Sequence, residues 1–225
     1  MTQLTPEIFL FLKELKENNH RDWMDEHRKR YKANEKLLKQ FYAEVMSRLN
    51  ETDVIAKTKV FRINRDIRFS NNKTPYNSHR SVRFIRSGEE RRGSYYLRIE
   101  PGNSGIAGGF FQPEPADLLR IRKEFEADDA PIRNILSEPS FSKTFGNFVE
   151  RDPVKIAPKG FKKDDPNIDL IRHRSFFVAH SYTDDEVLSP HFQDMVVAHY
   201  KLLRPFFDYM SEVLTTNLNG ESLLN

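Results

Sequence analysis

The period of the apolar residues changes repeatedly along these 225 residues, and that change limits the folds open to the chain more than any composition value does. Thr5-Pro6-Glu7 offers a capping hydroxyl, a proline suited to the first helical position and an acid for the first turn. Ile8, Phe9, Phe11, Leu12 and Leu15 then recur at helical spacing, and Asn18-Asn19 closes the helix. A second helix, from about Asp22 to Leu49, carries Trp23, Tyr31, Leu38, Phe41, Tyr42, Val45 and Leu49. After Thr58 the period falls to two. Phe61, Ile63, Ile67 and Phe69 alternate with Arg62, Asn64, Asp66 and Arg68, which predicts a half-buried strand with the apolar set inward. Further strands are expected over 81–86, 94–100 and 106–112, with Gly88 and Gly93 bracketing an exposed hairpin tip. Their close spacing favours an antiparallel meander. Helical spacing returns from Pro115 through Leu118, Leu119, Ile121, Ile132, Ile135 and Leu136. The stretch 152–169 is rich in Pro, Gly and Lys and reads as loop, 175–181 reads as a buried strand, and 190–214 as a closing helix that Pro205 kinks or splits.

This order predicts an α+β fold. An N-terminal helical hairpin (about 5–50) precedes a mainly antiparallel sheet (about 58–112), and a helical and loop C-terminal part (about 115–225) lays its helices on one sheet face. Without repeats, a long linker or a low-complexity tract, 1–225 reads as a single α+β domain. The chain is long enough to bury a substantial core, and 18 Phe supply much of its volume. It contains no cysteine, which excludes disulfides, thiolate nucleophiles and Cys-based metal sites and fits a reducing, cytoplasmic setting. No apolar run is long enough to span a bilayer, and residues 1–50 lack a signal-peptide core, so no membrane association is expected. The net charge of +3 permits nucleic acid as a partner without arguing for it.

The charge surplus is local. Between Lys57 and Arg86 stand nine Lys or Arg and a single acid, Asp66. Guanidinium forks match phosphate and carboxylate oxygens two at a time, so the surplus predicts an anion site. On the expected strand Arg62, Asn64, Asp66 and Arg68 share the outward face. On the 94–100 strand Tyr96, Arg98 and Glu100 point outward while Tyr95, Leu97 and Ile99 point inward. The candidate ligand-binding set is Arg62, Arg65, Asp66, Arg68, Ser70, Lys73, Thr74, Tyr76, His79, Tyr96 and Arg98, with Arg62, Arg68, Lys73 and Arg98 at its centre. Ser70-Asn71-Asn72 suits a turn that exposes backbone N–H groups, an anion nest. Arg65 falls on the core side of the period, so it is either buried and paired or re-aimed by a bulge.

Each assignment has a plainer rival. Asp66 among arginines reads first as an ion-pair hub, because adjacent positive charge lowers its pKa and disqualifies it as a general base. His79 is the other candidate for proton transfer, against an ordinary hydrogen-bonded loop histidine. Structural pairing of the whole cluster ranks above anion binding, and anion binding above catalysis. Gly102, Gly105, Gly108 and Gly109 allow a backbone to approach a ligand or another strand, and lack the Gly-Lys-Ser/Thr ending of a phosphate loop. His20 and His27, His173 and His180, and His191 and His199 lack metal-ligand spacing, so neither metal nor cofactor is expected. Lys159, Lys162 and Lys163, answered by Asp164 and Asp165, read as a solvated loop. The functional reading is a protein that binds a phosphorylated or other anionic small molecule. The alternatives are an enzyme acting on an anionic substrate through His79 or Asp66, a nucleic-acid binder that stacks bases on Tyr76 and Tyr96, and a protein-interaction scaffold.

The residues also resemble a known family. Phe11-Leu12-Lys13-Glu14-Leu15, Asn18-Asn19 and Arg21-Asp22-Trp23 match it, as does Phe61-Arg62-Ile63-Asn64-Arg65-Asp66-Ile67-Arg68-Phe69-Ser70 with Lys73-Thr74-Pro75-Tyr76. Residues 93–101, 110–114 and Ala157-Pro158-Lys159-Gly160-Phe161 match as well. Over nearly its whole length the chain resembles the largely microbial domain of unknown function 2461. The resemblance implies one compact domain and brings no activity, cofactor or catalytic residue. Met24 stands where the family pattern leads one to expect an aromatic, and Asp165 where it leads one to expect His.

Overall fold

The computed structural model describes residues 1–225 except Asp152, Pro153, Lys155, Leu218 and Asn225. Helix α1 spans Pro6–Glu17 and buries the expected stripe Ile8, Phe9, Phe11, Leu12 and Leu15. Its start differs in one detail: the Thr5 hydroxyl makes no capping bond, and the Thr5 carbonyl accepts from Ile8 N–H at 3.1 Å instead. Asn18 ends it by donating both its backbone N–H and its side-chain amide to the Glu14 carbonyl. The expected second helix is two, α2 (Arg21–Glu26) and α3 (Arg28–Leu49), separated at His27. The His20 ring accepts from Trp23 N–H and caps α2, while the His27 ring stacks on Trp23 with centroids 4.0 Å apart. Two imidazoles thus occupy the ends of one short helix, and helical spacing alone does not reveal the break. Along α3, Leu38, Phe41, Tyr42, Val45 and Leu49 are buried, together with the polar Asn34.

Five strands follow: β1 (Ile55–Val60), β2 (Arg80–Arg86), β3 (Ser94–Ile99), β4 (Ser104–Phe110) and β5 (Phe176–Tyr182). They form one antiparallel sheet in the order β1-β2-β3-β4-β5. β1 was not expected; its Lys57, Thr58 and Lys59 dilute the apolar signal, as suits an edge strand that must resist pairing with another chain. The expected parity on β3 holds, with Tyr95, Leu97 and Ile99 buried and Tyr96, Arg98 and Glu100 half-buried on the other face. The segment 61–69 joins no strand ladder. It keeps its alternating burial as far as Ile67, but its backbone makes one isolated antiparallel bridge, Asn64 with Tyr76.

Contacts cluster into two units. The first comprises Met1–Phe84, Tyr96–Ile106 and Ser181–Ala198; the second comprises Ile85–Tyr95, Ala107–His180 and His199–Asn225. In the first, α1 and α2 lie on α3, α3 lies on β1, and Phe192 stacks on Phe41. This unit also holds α8 (Asp184–Leu188), closed by a capping box between Thr183 and Glu186, and most of α9 (Phe192–Leu202). The second holds α4 (Pro115–Ala127), α5 (Ala130–Ser137), α6 (Pro139–Phe145), α7 (Ile168–Ile171) and α10 (Arg204–Thr215). The closing helix is split at Leu203, with Pro205 in the first turn of α10, where its missing N–H costs nothing. Phe207 of α10 packs edge-on against Tyr95 and Phe110, which puts a C-terminal helix on the inward face of β3 and β4. On α4 the buried positions are Ile121 and Phe125, and Leu119 is exposed. Gly109 has a positive φ of 142°, and a Cβ there would lie 2.6 Å from the Phe177 Cα, so glycine serves the approach of β4 to β5. The loop expected over 152–169 has neither helix nor strand over its described part before α7; Asp152, Pro153 and Lys155 lie outside the described residues.

Candidate functional site

The arginine-rich segment 61–79 is an irregular excursion pinned at its base. Ile63 and Tyr76 are buried, Asn77 N–H donates to the Ile63 carbonyl at 2.7 Å, and Arg65 N–H donates to the Pro75 carbonyl at 2.8 Å. The Asn19 side-chain amide bonds both the N–H and the C=O of Tyr76, each at 3.0 Å, supplying the pairing that a neighbouring strand would give. Arg65 is half-buried and spans the excursion, donating to the Thr74 carbonyl and hydroxyl and to the Ser70 hydroxyl. It is therefore paired, but with neutral acceptors.

The other candidates turn to partners of their own. Arg68 grips Asp66 through Nε at 3.0 Å and its terminal nitrogen at 2.7 Å, fully in solvent. Those bonds, with the Arg68 backbone N–H, hold the Asp66 carboxyl below its ordinary range, so Asp66 is a partner for one guanidinium and a poor base. Lys73 donates to the Ile67 carbonyl at 3.0 Å. Thr74 N–H is taken by the Asn72 side chain at 2.9 Å and Ser70 N–H by the Ile67 carbonyl at 3.4 Å, which removes two donors from the expected nest. Arg62 is exposed, and its guanidinium makes no hydrogen bond among the described residues. Phe69, expected inward, is 95% exposed, because the chain turns at Arg68 and Phe69 beyond its last bridge and no strand faces it there.

His79, Tyr96 and Arg98 form a second group on the outward side of β3. Tyr96 meets the Phe61 ring edge-on at 6.1 Å, and Arg98 is paired with Glu100. His79 is half-buried; burial first, then the Arg98 charge, pulls its pKa below the ordinary value against a smaller opposing pull from Glu100. It is therefore a neutral imidazole at neutral pH. Two further cations of the surplus, Arg80 and Arg86, lie inside the fold. Arg80 is held by both oxygens of Glu35 on α3, and Arg86 reaches Asp208 at 3.1 Å and the Arg92 carbonyl at 2.9 Å.

The second unit contains an open cavity of about 350 Å3 that the sequence reading did not anticipate. Arg122, Arg151, Arg174, Gln112 and Ser175 form its polar lining, and Pro113, Leu118 and Val154 its apolar lining. None of the three arginines is paired with a carboxylate among the described residues. Arg122 gives one terminal nitrogen to the His173 carbonyl at 3.0 Å and keeps a buried Nε without a partner. Burial, and next the Arg174 charge, lower its pKa, the mark of a cation short of counter-charge. The Arg151 guanidinium lies 4.9 Å from the centre of the Phe111 ring. Gln112, at φ 46°, is the single non-glycine residue of positive φ among the described residues, and its N–H donates to the Ser175 hydroxyl at 3.0 Å. Strained backbone of this kind concentrates at functional sites. The three arginines come from α4, from the segment after Val149 and from the turn before β5, so no motif in one window of sequence announces them.

Among the described residues no group of three or more His, Asp or Glu stands together to hold a metal ion, and no helix is long and apolar enough to cross a membrane. Comparison with curated proteins finds no match, and neither does comparison with solved structures. The family described as conserved hypothetical protein (DUF2461) matches residues 7–209. With that match over most of its length, and with the motif from Phe61 to Tyr76 forming the pinned excursion, the chain belongs to the DUF2461 family.

Proposed function

We propose that this protein binds a small anionic ligand, phosphorylated or carboxylated, and that it does so in the arginine-lined cavity of the second unit. The observation that carries the reading is three guanidinium groups around one cavity with no carboxylate paired to them among the described residues, one of them holding a buried, unpartnered Nε. Burying the Arg122 Nε without an acceptor is costly, and an anion supplies both the acceptor and the charge, with the exposed Arg151 and Arg174 free to turn to it. The 61–79 excursion and the neighbouring Arg98 support the reading less well, because Arg68, Lys73 and Arg98 already have partners. The test is a thermal-shift titration with inorganic phosphate and citrate at low ionic strength. A ligand at about a hundred times its dissociation constant stabilises the fold by roughly 2.7 kcal/mol. The shift is expected in the parent chain and in Arg62→Ala/Arg68→Ala, and absent in Arg122→Gln/Arg174→Gln. A shift that survives loss of Arg122 and Arg174 would refute the location.

One observation favours a second reading, proton transfer at His79: a neutral, half-buried imidazole stands beside Arg98. An anion seated on Arg98 would raise the pKa of His79. If no phosphate or carboxylate moves the titration of the His79 ring, followed by NMR, this reading fails.

A further inference from the structure

We infer, resting on the anion-binding reading above, that the cavity takes a phosphate monoester with a small apolar organic group rather than inorganic phosphate. The polar lining offers donors almost exclusively. Ser175 Oγ accepts from Gln112 N–H and keeps its proton to donate, and the three guanidinium groups cannot accept at all. Among the side chains of the lining, the Gln112 amide oxygen and the second lone pair of Ser175 are the acceptors. A ligand facing this set must bring acceptors, as a deprotonated phosphate does with three oxygens. Charge points the same way: a monocarboxylate leaves two of the three positive charges unanswered, whereas a phosphate dianion leaves one.

The organic group follows from size and from the other wall. About 350 Å3 lies within the range of small-molecule sites, while a bare phosphate fills only roughly two or three water volumes of ~30 Å3 each. Pro113, Leu118 and Val154 line the remainder. Leu118 and Arg122 stand one turn apart on α4, so the apolar wall and a cation are neighbours on one helix. Arg151 is steadied on the Phe111 ring and has no carboxylate partner among the described residues, which leaves hydrogen-bond donors for the ligand.

Calorimetric titration with phenyl phosphate, inorganic phosphate and phenol tests this. Phenyl phosphate is expected to bind at least about tenfold more tightly than phosphate, and phenol not at all; tenfold equals about 1.4 kcal/mol, or roughly 55 Å2 of apolar surface removed from water. Leu118→Asn, at a half-buried position, should bring phenyl phosphate down to the affinity of phosphate and leave phosphate itself unchanged; Val154→Asn should do the same. Equal affinity of the two anions in the parent chain overturns the inference while the anion reading stands. Failure of both anions to bind overturns both. Tight phenyl phosphate binding that neither asparagine variant weakens overturns the assignment of the apolar wall.

Discussion

Replacing Arg80 with methionine is expected to destabilise the fold by about 3 kcal/mol, although the surrounding sequence reads as a basic surface. The Arg80 side chain is 4% exposed and grips both oxygens of Glu35, whose own side chain is 14% exposed. Methionine restores most of the volume but strands the carboxylate among Tyr31, Asn34 and Leu38, with water reaching only its edge. Breaking one partner of a buried pair costs roughly 3–5 kcal/mol, and the partial exposure of Glu35 argues for the lower end. At roughly 2–4 °C per kcal/mol for a chain of this length, the melting temperature should fall by about 6–12 °C. Arg80→Met/Glu35→Leu removes both charges and should recover most of the loss, giving a coupling energy of at least about 2 kcal/mol in urea denaturation. A double variant that costs the sum of the two single ones would refute the reasoning, as would an Arg80→Met loss below about 1 kcal/mol.

Arg62→Ala/Arg68→Ala should leave melting temperature and phosphate binding unchanged, since Arg68 and Asp66 pair in open solvent where such bridges contribute little; a lost phosphate shift would return the site to the excursion. His79 has a folded pKa below its unfolded value near 6.5, so its contribution is intact above that value and is lost as pH falls through it toward the folded pKa. His79→Gln should therefore flatten the acid side of the stability–pH curve below about pH 6.5, and an unaltered slope would contradict the burial assigned to it. Gly109→Ala forces a side chain against β5 and should destabilise by about 2 kcal/mol or more; a loss under about 0.5 kcal/mol would show that the strands do not approach so closely there.

What the sequence disclosed follows the reach of each signal. Periodicity is local, and it located α1, β2, β3 and the stripe of α3, whose apolar spacing and burial agree. It failed where a polar side chain replaced backbone pairing. Asn19 holds Tyr76 from 57 residues away, so the strand-like alternation of 61–67 persists without a strand. The break at His27 rests on ring stacking that helical spacing cannot register. Counting cations found the surplus but not its use: Arg80 and Arg86 are buried and pair with Glu35 and with the exposed Asp208, residues distant in sequence. The cavity was illegible for the same reason, because Arg122, Arg151 and Arg174 meet only through the return of the chain from α4 to β5. The Arg172-His173-Arg174 run and Gln112, three residues after Gly109, were the nearest signals, and neither has a spacing that specifies a ligand.

The most direct measurement of the central claim is a phosphate titration followed residue by residue in amide NMR spectra of the whole chain. The account predicts saturable shifts at Gln112, Arg122 and Ser175, with Ser70, Thr74 and Arg98 unmoved. Saturable shifts at Ser70, Thr74 and Arg98 with the cavity amides silent would contradict it and give the anion to the family motif instead.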